Sequence, residues 1–157
     1  MKKIPSINIP IIDNGKISNN ILSDVTKNKK VIIFGIPGAY TPTCSEKHLP
    51  SFLKNKENLL SKKVDDIYCL SVNDSFVMKS WLNSYPENNF IKGIADGNAE
   101  FTKEMNLLAD YSKNFMGKRC KRFSLIAEDN VVISLNIDET GKFLVSSADY
   151  LLKQLTY

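Results

Sequence analysis

The amino-acid sequence predicts an α/β fold with a mixed central sheet, flanking helices and an N-terminal extension. Residues 31–36 form a short, continuous apolar run, which is typical of a strand covered on both faces. Strand-like and helix-like segments then alternate along the chain. The last third contains a hairpin pattern followed by a final helix, so the sheet should contain both parallel and antiparallel strands.

The individual elements follow from local patterns. Residues 4–12 alternate loosely as an extended segment, and Asn14-Gly15 is a turn signal. Further along we predict, in order, a strand over 31–36, a helix from the region of residue 43 to about 60, a strand over 66–72, a helix over 74–84, a strand over 90–95, a helix over 98–107, two strands over 122–127 and 131–137, and a helix over 148–155. This order is compatible with a thioredoxin-like sandwich.

The start of the second predicted element can be assigned in two ways. Thr43 and Glu46 fit a capping box, with Thr43 as the N-cap. If Thr41 is the cap instead, Pro42 takes the favoured first helical position. Cys44 lies in the first helical turn in both cases, and Pro50 should kink the helix.

Composition limits the classes of function. The chain has 157 residues, which we interpret as one domain over 1–157. Its net charge of +4 comes from scattered lysines, which favours a solvated surface over nucleic-acid or membrane binding. Only two of the 21 basic residues are arginines, Arg119 and Arg122. These two are therefore candidates for a functional role that requires a planar, permanently charged cation.

The compartment is expected to be the cytoplasm. Pro5 and Pro10 interrupt any apolar signal-peptide core after the basic start, and no apolar run approaches membrane-spanning length. Three widely spaced cysteines favour reduced thiols over a disulfide framework. An organelle, reached with a transit peptide that is later lost, stays open.

Cys44 has the position of a reactive thiol. At a helix start, sulfur experiences the positive end of the helix dipole and unpaired backbone N–H groups, which favour the nucleophilic thiolate. The turn at Pro37-Gly38 lets the backbone approach a small ligand, and the Thr41 hydroxyl is placed to orient one. We therefore expect a nucleophilic cysteine, with Gly38 and Thr43 lining its substrate site.

These residues carry a family resemblance. The stretch "PGAYTPTC", followed by "HLP", resembles the peroxiredoxins, and in particular the atypical subfamily that includes the plant type II enzymes and the human organellar enzyme. Their P-x-x-x-T-x-x-C signature is met by Pro37, Thr41 and Cys44. The likeness continues through "CLSVND", "ADGNAEFTKEMNLL" and "RFSLI", and so covers about residues 30 to 137.

The resemblance implies a thiol peroxidase without a metal or organic cofactor. Cys44 would attack the O–O bond of hydrogen peroxide or an organic hydroperoxide and become a sulfenic acid. Arg122 would be the active-site arginine, Thr41 would hydrogen-bond the peroxide, and Pro37 would shield the thiolate from water. Arg119 is the less favoured arginine, because the matched one precedes Phe123. A homodimer is also implied.

Other interpretations of the thiols and of His48 remain. His48 could pair with Cys44 as the catalytic dyad of a hydrolase. A base one turn along the same helix is poorly oriented toward the thiol, which favours a packing or hydrogen-bonding role for His48. The three cysteines and His48 could bind zinc, although no close ligand pair is present. A nucleic-acid-binding module is a further alternative, suggested weakly by the basic stretch 118–122.

The remaining question is how an oxidised Cys44 would be reduced. Human-type relatives carry a resolving cysteine shortly before the last helix, where this chain has Ser146. Cys69 lies in an apolar strand and should be packed, whereas an exposed Cys120 could form mixed disulfides. We therefore expect a one-cysteine cycle completed by glutathione and glutaredoxin, with thioredoxin as the other candidate reductant. A peroxide sensor that passes oxidation to partner proteins is the alternative function.

Overall fold

A seven-stranded mixed sheet forms the centre of the molecule. The computed structural model describes residues 2–155, so Met1, Thr156 and Tyr157 of the predicted domain lie outside the described residues. The strands are β1 (Asn8–Asp13), β2 (Lys16–Ile21), β3 (Lys30–Gly35), β4 (Asp66–Ser71), β5 (Ile91–Ala95), β6 (Leu108–Asp110), β7 (Lys118–Cys120), β8 (Phe123–Glu128) and β9 (Val131–Ile137). The helices are α1 (Leu22–Thr26), α2 (Leu49–Lys54), α3 (Lys56–Ser61), α4 (Ser75–Asn83), α5 (Glu100–Glu104) and α6 (Ala148–Gln154).

The sheet contains both strand orientations, which confirms the predicted mixed α/β class. Its order is β2-β1-β5-β4-β3-β8-β9. Strands β3, β4 and β5 are parallel, whereas β1 pairs antiparallel with both β2 and β5, and β8 pairs antiparallel with both β3 and β9. Strands β6 and β7 form a separate two-stranded ribbon.

The core lies on both faces of this sheet, as the apolar run of β3 predicts. Ile32 and Phe34 belong to one buried cluster, which includes side chains of α2, α3, α4 and α6. Val31 and Ile33 belong to the other, which includes side chains of α1 and α5. Within residues 2–155 we find no helix whose length and apolarity would carry it across a membrane.

Two of the predicted helices differ from the observed ones. The helix predicted to run to about residue 60 is interrupted at Asn55, which separates α2 from α3. The helix predicted over 98–107 is shorter, because Ala99 and Asn106, with φ of 58° and 57°, are in the left-handed region on either side of α5. Strand β2, helix α1 and the β6–β7 ribbon lie in segments for which no local sequence pattern predicted a strand or helix.

Candidate active site

The candidate nucleophile begins an unusual helical turn. The chain is helical from Pro42, but residues Cys44–His48 form a π-helix, in which the Leu49 N–H donates to the Cys44 carbonyl five residues earlier. Thr43 has helical dihedral angles and makes no side-chain capping bond, so its assignment as N-cap is wrong. The alternative with Pro42 in the first helical position agrees with the structure.

Pro50 helps to explain the π-helical turn. Proline has no backbone N–H, so Pro50 cannot donate to a carbonyl in the preceding turn. The Ser45 carbonyl accepts a hydrogen bond from the Tyr85 hydroxyl at 2.7 Å instead. The Ser45 hydroxyl also accepts from Trp81 Nε1 at 3.0 Å. Side chains of α4 and of the residues just after it therefore hold the helix start that carries Cys44.

Arg122 contacts the sulfur of Cys44. It lies immediately before β8, which pairs with β3, and β3 leads into the loop that precedes Cys44. Its Nη2 donates to Cys44 Sγ at 3.1 Å, and its Nη1 donates to His48 Nδ1 at 2.9 Å. One guanidinium therefore bridges two side chains of the same π-helical turn, as its planar fork of donors permits.

Arg122 is a buried cation without a carboxylate partner among residues 2–155. The side chain is buried, and within residues 2–155 it forms no ion pair with Asp or Glu. A buried cation is costly unless an anion or hydrogen-bond acceptors compensate it. The Arg122 guanidinium is therefore a positive charge and a hydrogen-bond donor in direct contact with the Cys44 sulfur.

His48 is fixed as a neutral ring. Its Nδ1 accepts from Arg122, and its Nε2 donates to the Ser146 carbonyl at 2.9 Å. Burial, with the nearby Arg122 charge, lowers the pKa of His48 from 6.5 to about 3. The ring packs against Phe34 and Phe143. Because Nδ1 faces Arg122, this geometry does not make His48 a general base toward Cys44.

The neutral state of His48 makes stability depend on pH. Between about pH 6.5 and pH 3 the unfolded chain binds a proton at this ring and the folded chain does not, so stability falls as pH drops through this window. Glutamine does not titrate in this range. We therefore expect the free energy of unfolding to fall less in His48→Gln than in the wild type when the pH is lowered from about 7 to about 4.5. The difference between the two losses should be on the order of a few kcal/mol. Urea unfolding at both pH values measures this, and equal losses in the two proteins would contradict it.

A carboxylate organises the loop that contacts His48. Asp138 accepts backbone N–H bonds from Leu144, Val145 and Ser146, and also the Ser146 hydroxyl. Burial acts to raise the pKa of Asp138, but these hydrogen bonds outweigh it and the pKa is lowered. The ionised carboxylate therefore holds the Ser146 carbonyl where it accepts from His48.

Two side-chain hydrogen bonds stabilise the loop before Cys44. The Thr41 hydroxyl donates to the Gly38 carbonyl at 2.7 Å, and Arg119 Nη1 donates to the buried Pro37 carbonyl at 3.2 Å. A Cβ at Gly38 would lie 2.8 Å from Arg119 Nη1, so a larger residue here would displace the guanidinium from its observed position. Arg119 also donates to the Met116 carbonyl. It therefore supports the loop and makes no described contact with Cys44.

A cleft of about 320 Å³ is lined by four of the predicted site residues. Gly38 and the fully buried Cys44 are not among the residues that line this cleft. Pro37, Thr41, Thr43 and Arg122 line it, together with residues that the sequence analysis did not select. The latter are Pro42, Tyr111, Asn114, Met116, Glu139, Thr140 and Gly141. The aromatic and methionine side chains come from the segment around the β6–β7 ribbon, which carried no clear sequence signal.

The other two cysteines are sequestered. Cys69 on β4 and Cys120 at the end of β7 are both fully buried and unpaired, so the exposed thiol considered for Cys120 is not observed. Burial raises the pKa of both thiols well above the ordinary value, and Cys120 donates to the Ile36 carbonyl. Within the described residues, no three of the histidine, cysteine and carboxylate side chains form a group that could hold a metal ion.

The sequence is similar to known proteins over almost its whole length. The model of the Redoxin family matches residues 2–152. Peroxiredoxin-2B of Arabidopsis thaliana is 45% identical over 153 residues, which cover 97% of this chain and 94% of that protein. Peroxiredoxin-2C of Oryza sativa subsp. japonica is 50% identical over 127 residues, which cover 81% of this chain and 78% of that protein.

Solved structures with the same fold confirm the thioredoxin-like architecture predicted from the sequence. Reduced Prx3 of Vibrio vulnificus, determined in complex with hydrogen peroxide, has a TM-score of 0.91 at 36% identity, with 98% of this chain and 96% of that chain covered. The antioxidant protein of Plasmodium falciparum, described as a 1-Cys peroxiredoxin, has a TM-score of 0.88 at 33% identity, with the same coverages.

Proposed function

Since this chain belongs to the Redoxin family and is a peroxiredoxin, a thiol peroxidase, we propose that Cys44 is its peroxidatic cysteine. The contact between Arg122 Nη2 and Cys44 Sγ, at 3.1 Å, is the observation that carries this assignment. It joins the thiol at the helix start to a buried cation that has no carboxylate partner within residues 2–155. Both members of the pair are residues that the sequence analysis expected in these roles.

In the proposed reaction, the Cys44 thiolate attacks one oxygen of the peroxide. The O–O bond breaks, an S–O bond forms, and the departing oxygen takes up a proton from solvent, so the products are a sulfenic acid and either water or an alcohol. Arg122 stabilises negative charge as it moves from sulfur to the departing oxygen. The Thr41 hydroxyl already donates to Gly38, so its oxygen is available to accept the peroxide O–H. The buried Pro37 limits the access of water.

The proposed substrates are hydrogen peroxide and organic hydroperoxides. The cleft of about 320 Å³ is larger than hydrogen peroxide needs. Pro42 and Met116 contribute apolar surface to it, while Thr41 and Arg122 supply the polar groups. An alkyl group can occupy the apolar part while the peroxide end lies against Arg122, the residue that contacts Cys44.

We further propose that the catalytic cycle uses one cysteine of this chain. Cys69 and Cys120 are buried and their pKa values are raised, so both are poor nucleophiles toward a sulfenic acid. The loop before α6 carries Ser146, which cannot form a disulfide. An external thiol must then complete the cycle. Glutathione would form a mixed disulfide with Cys44, and glutaredoxin would reduce it.

Intact mass after stoichiometric peroxide tests this cycle. With glutathione present, we expect one glutathione adduct on Cys44 in the wild type and also in Cys69→Ser and Cys120→Ser, because neither buried thiol is required. Without glutathione we expect an oxidised Cys44 and no internal disulfide. An internal Cys44–Cys69 or Cys44–Cys120 disulfide that forms quickly and supports turnover with thioredoxin would contradict the one-cysteine cycle.

We also propose that the protein forms a homodimer. Its proposed location is the cytosol, which is a reducing compartment. Three aromatic rings are exposed near the active-site loop: Tyr40 by 57%, Phe76 by 77% and Phe115 by 98%. The Tyr40 hydroxyl lies 2.5 Å from the Ser80 hydroxyl on α4, the helix that also carries Phe76, so these two rings share a face. A second copy would remove this apolar surface from water. The three unpaired thiols suit a reducing environment.

A further inference from the structure

A second cleft adjoins the cleft of about 320 Å³ that Thr41 and Arg122 line. It measures about 410 Å³ and shares four lining residues with the first: Tyr111, Arg122, Glu139 and Thr140. The two clefts therefore meet at the guanidinium that contacts Cys44. Three further residues line only the second cleft: Ile137, Asp138 and Lys121. Lys121 is half-buried and next to Arg122 in the chain. The proposed peroxide reaction does not use this space.

The charges around the second cleft leave one cation uncompensated. Lys121 forms no ion pair with any carboxylate in residues 2–155. Glu139 is paired with Lys142 at 3.0 Å. The buried Asp138 accepts four hydrogen bonds from its own loop, and Arg122 is engaged by Cys44 and His48. The cleft therefore favours an anionic ligand through Lys121.

We propose that the Lys121 cleft binds a carboxylate of glutathione while the thiol of glutathione attacks oxidised Cys44. This inference rests on the one-cysteine cycle proposed above. In the step, the glutathione sulfur forms an S–S bond with Cys44, the S–O bond of the sulfenic acid breaks, and the hydroxide leaves with the thiol proton as water. The Cys44 sulfur is reduced and the glutathione sulfur is oxidised.

The size and chemistry of the cleft support glutathione as the ligand. Glutathione is a tripeptide with two carboxylates and one ammonium group, so it extends well beyond the thiol that must reach Cys44. Lys121 matches a carboxylate, while the Tyr111 and Thr140 side chains offer hydroxyl groups for its peptide bonds. A small uncharged thiol such as 2-mercaptoethanol would gain nothing from Lys121, and this difference makes the proposal testable.

The test compares two thiols on the same oxidised enzyme. Full-length protein is oxidised with one equivalent of hydrogen peroxide, and the loss of sulfenic acid is followed by quenched-flow mass spectrometry with glutathione or with 2-mercaptoethanol. In Lys121→Gln we expect the ratio of the glutathione rate to the 2-mercaptoethanol rate to fall about five-fold, as for the loss of a solvent-screened ion pair. Because the readout is a ratio, a general loss of reactivity cancels.

Two variants provide controls. Lys121→Arg keeps the positive charge and should keep the ratio near that of the wild type. Lys118→Gln removes a cation that is paired with Asp110 on the neighbouring strand and does not line the cleft, so its ratio should be unchanged. High salt should lower the wild-type ratio toward that of Lys121→Gln.

Two results would overturn the inference in different ways. If the ratio in Lys121→Gln equals that of the wild type, or falls equally in Lys118→Gln, the subsite is wrong and the one-cysteine cycle stands. If neither thiol reduces oxidised Cys44 in the wild type, the proposed cycle is wrong, and the subsite with it.

Discussion

Replacing Cys44 by serine should abolish peroxide reduction and leave the fold intact. The substitution is nearly isosteric at a fully buried position, and a hydroxyl next to Arg122 does not supply a comparable nucleophile at neutral pH. The steady-state rate with hydrogen peroxide, measured with glutathione and glutaredoxin, should fall to the uncatalysed background. Circular dichroism should be unchanged.

Cys69→Ser is the matched control for this variant, because it also removes a fully buried thiol but lies on β4. We expect it to keep most of the peroxidase activity. Activity retained in Cys44→Ser, or lost only in Cys69→Ser, would show that Cys44 is not the peroxidatic residue.

Replacing Arg122 by lysine should produce the second large effect. The guanidinium bridges Cys44 Sγ and His48 Nδ1 with two different nitrogens, and a single ammonium cannot reproduce both bonds. Because the lost donor also stabilises charge on the departing oxygen, we expect the second-order rate constant with hydrogen peroxide to fall by about 100-fold. Stopped-flow oxidation of the reduced enzyme measures this constant without a contribution from the reductant.

Arg119→Lys tests the register of this strand region. Arg119 donates to the carbonyls of Pro37 and Met116, so it supports the loop without contacting the sulfur. Its replacement by lysine should therefore lower the rate constant much less than Arg122→Lys does. A larger loss at Arg119 would mean that the two arginines have been assigned the wrong roles.

The parts of the fold that follow from sequence are those with strong local patterns. The apolar run of β3 and the signature around Cys44 identified an interior strand of the sheet and the helix start that carries Cys44. By contrast, β2 is a mostly exposed, polar edge strand whose position depends on its register with β1, and β6 and β7 have only three residues each. Such segments are stabilised by pairing rather than by their own composition.

The parts of the site that sequence did not predict depend on contacts between distant segments. The sequence singled out Arg122 through the rarity of arginine and the family resemblance. The sequence did not indicate that Arg122, His48 and the Ser146 carbonyl are joined by hydrogen bonds. Arg122 lies 74 positions and Ser146 lies 98 positions from His48 in the chain, so no local pattern connects them. The π-helical turn was also not predicted. A kink was expected at Pro50, but a kink does not specify which backbone carbonyls lose their hydrogen-bond donors.

The measurement that tests the central claim most directly is mapping of the oxidised residue. Reduced wild-type protein is treated with one equivalent of hydrogen peroxide in the presence of dimedone, which traps sulfenic acids, and the labelled peptide is identified by mass spectrometry. Our account predicts a single adduct on Cys44, formed much more slowly in Arg122→Lys. A principal adduct on Cys69 or Cys120, or an equal rate of labelling in Arg122→Lys, would contradict it.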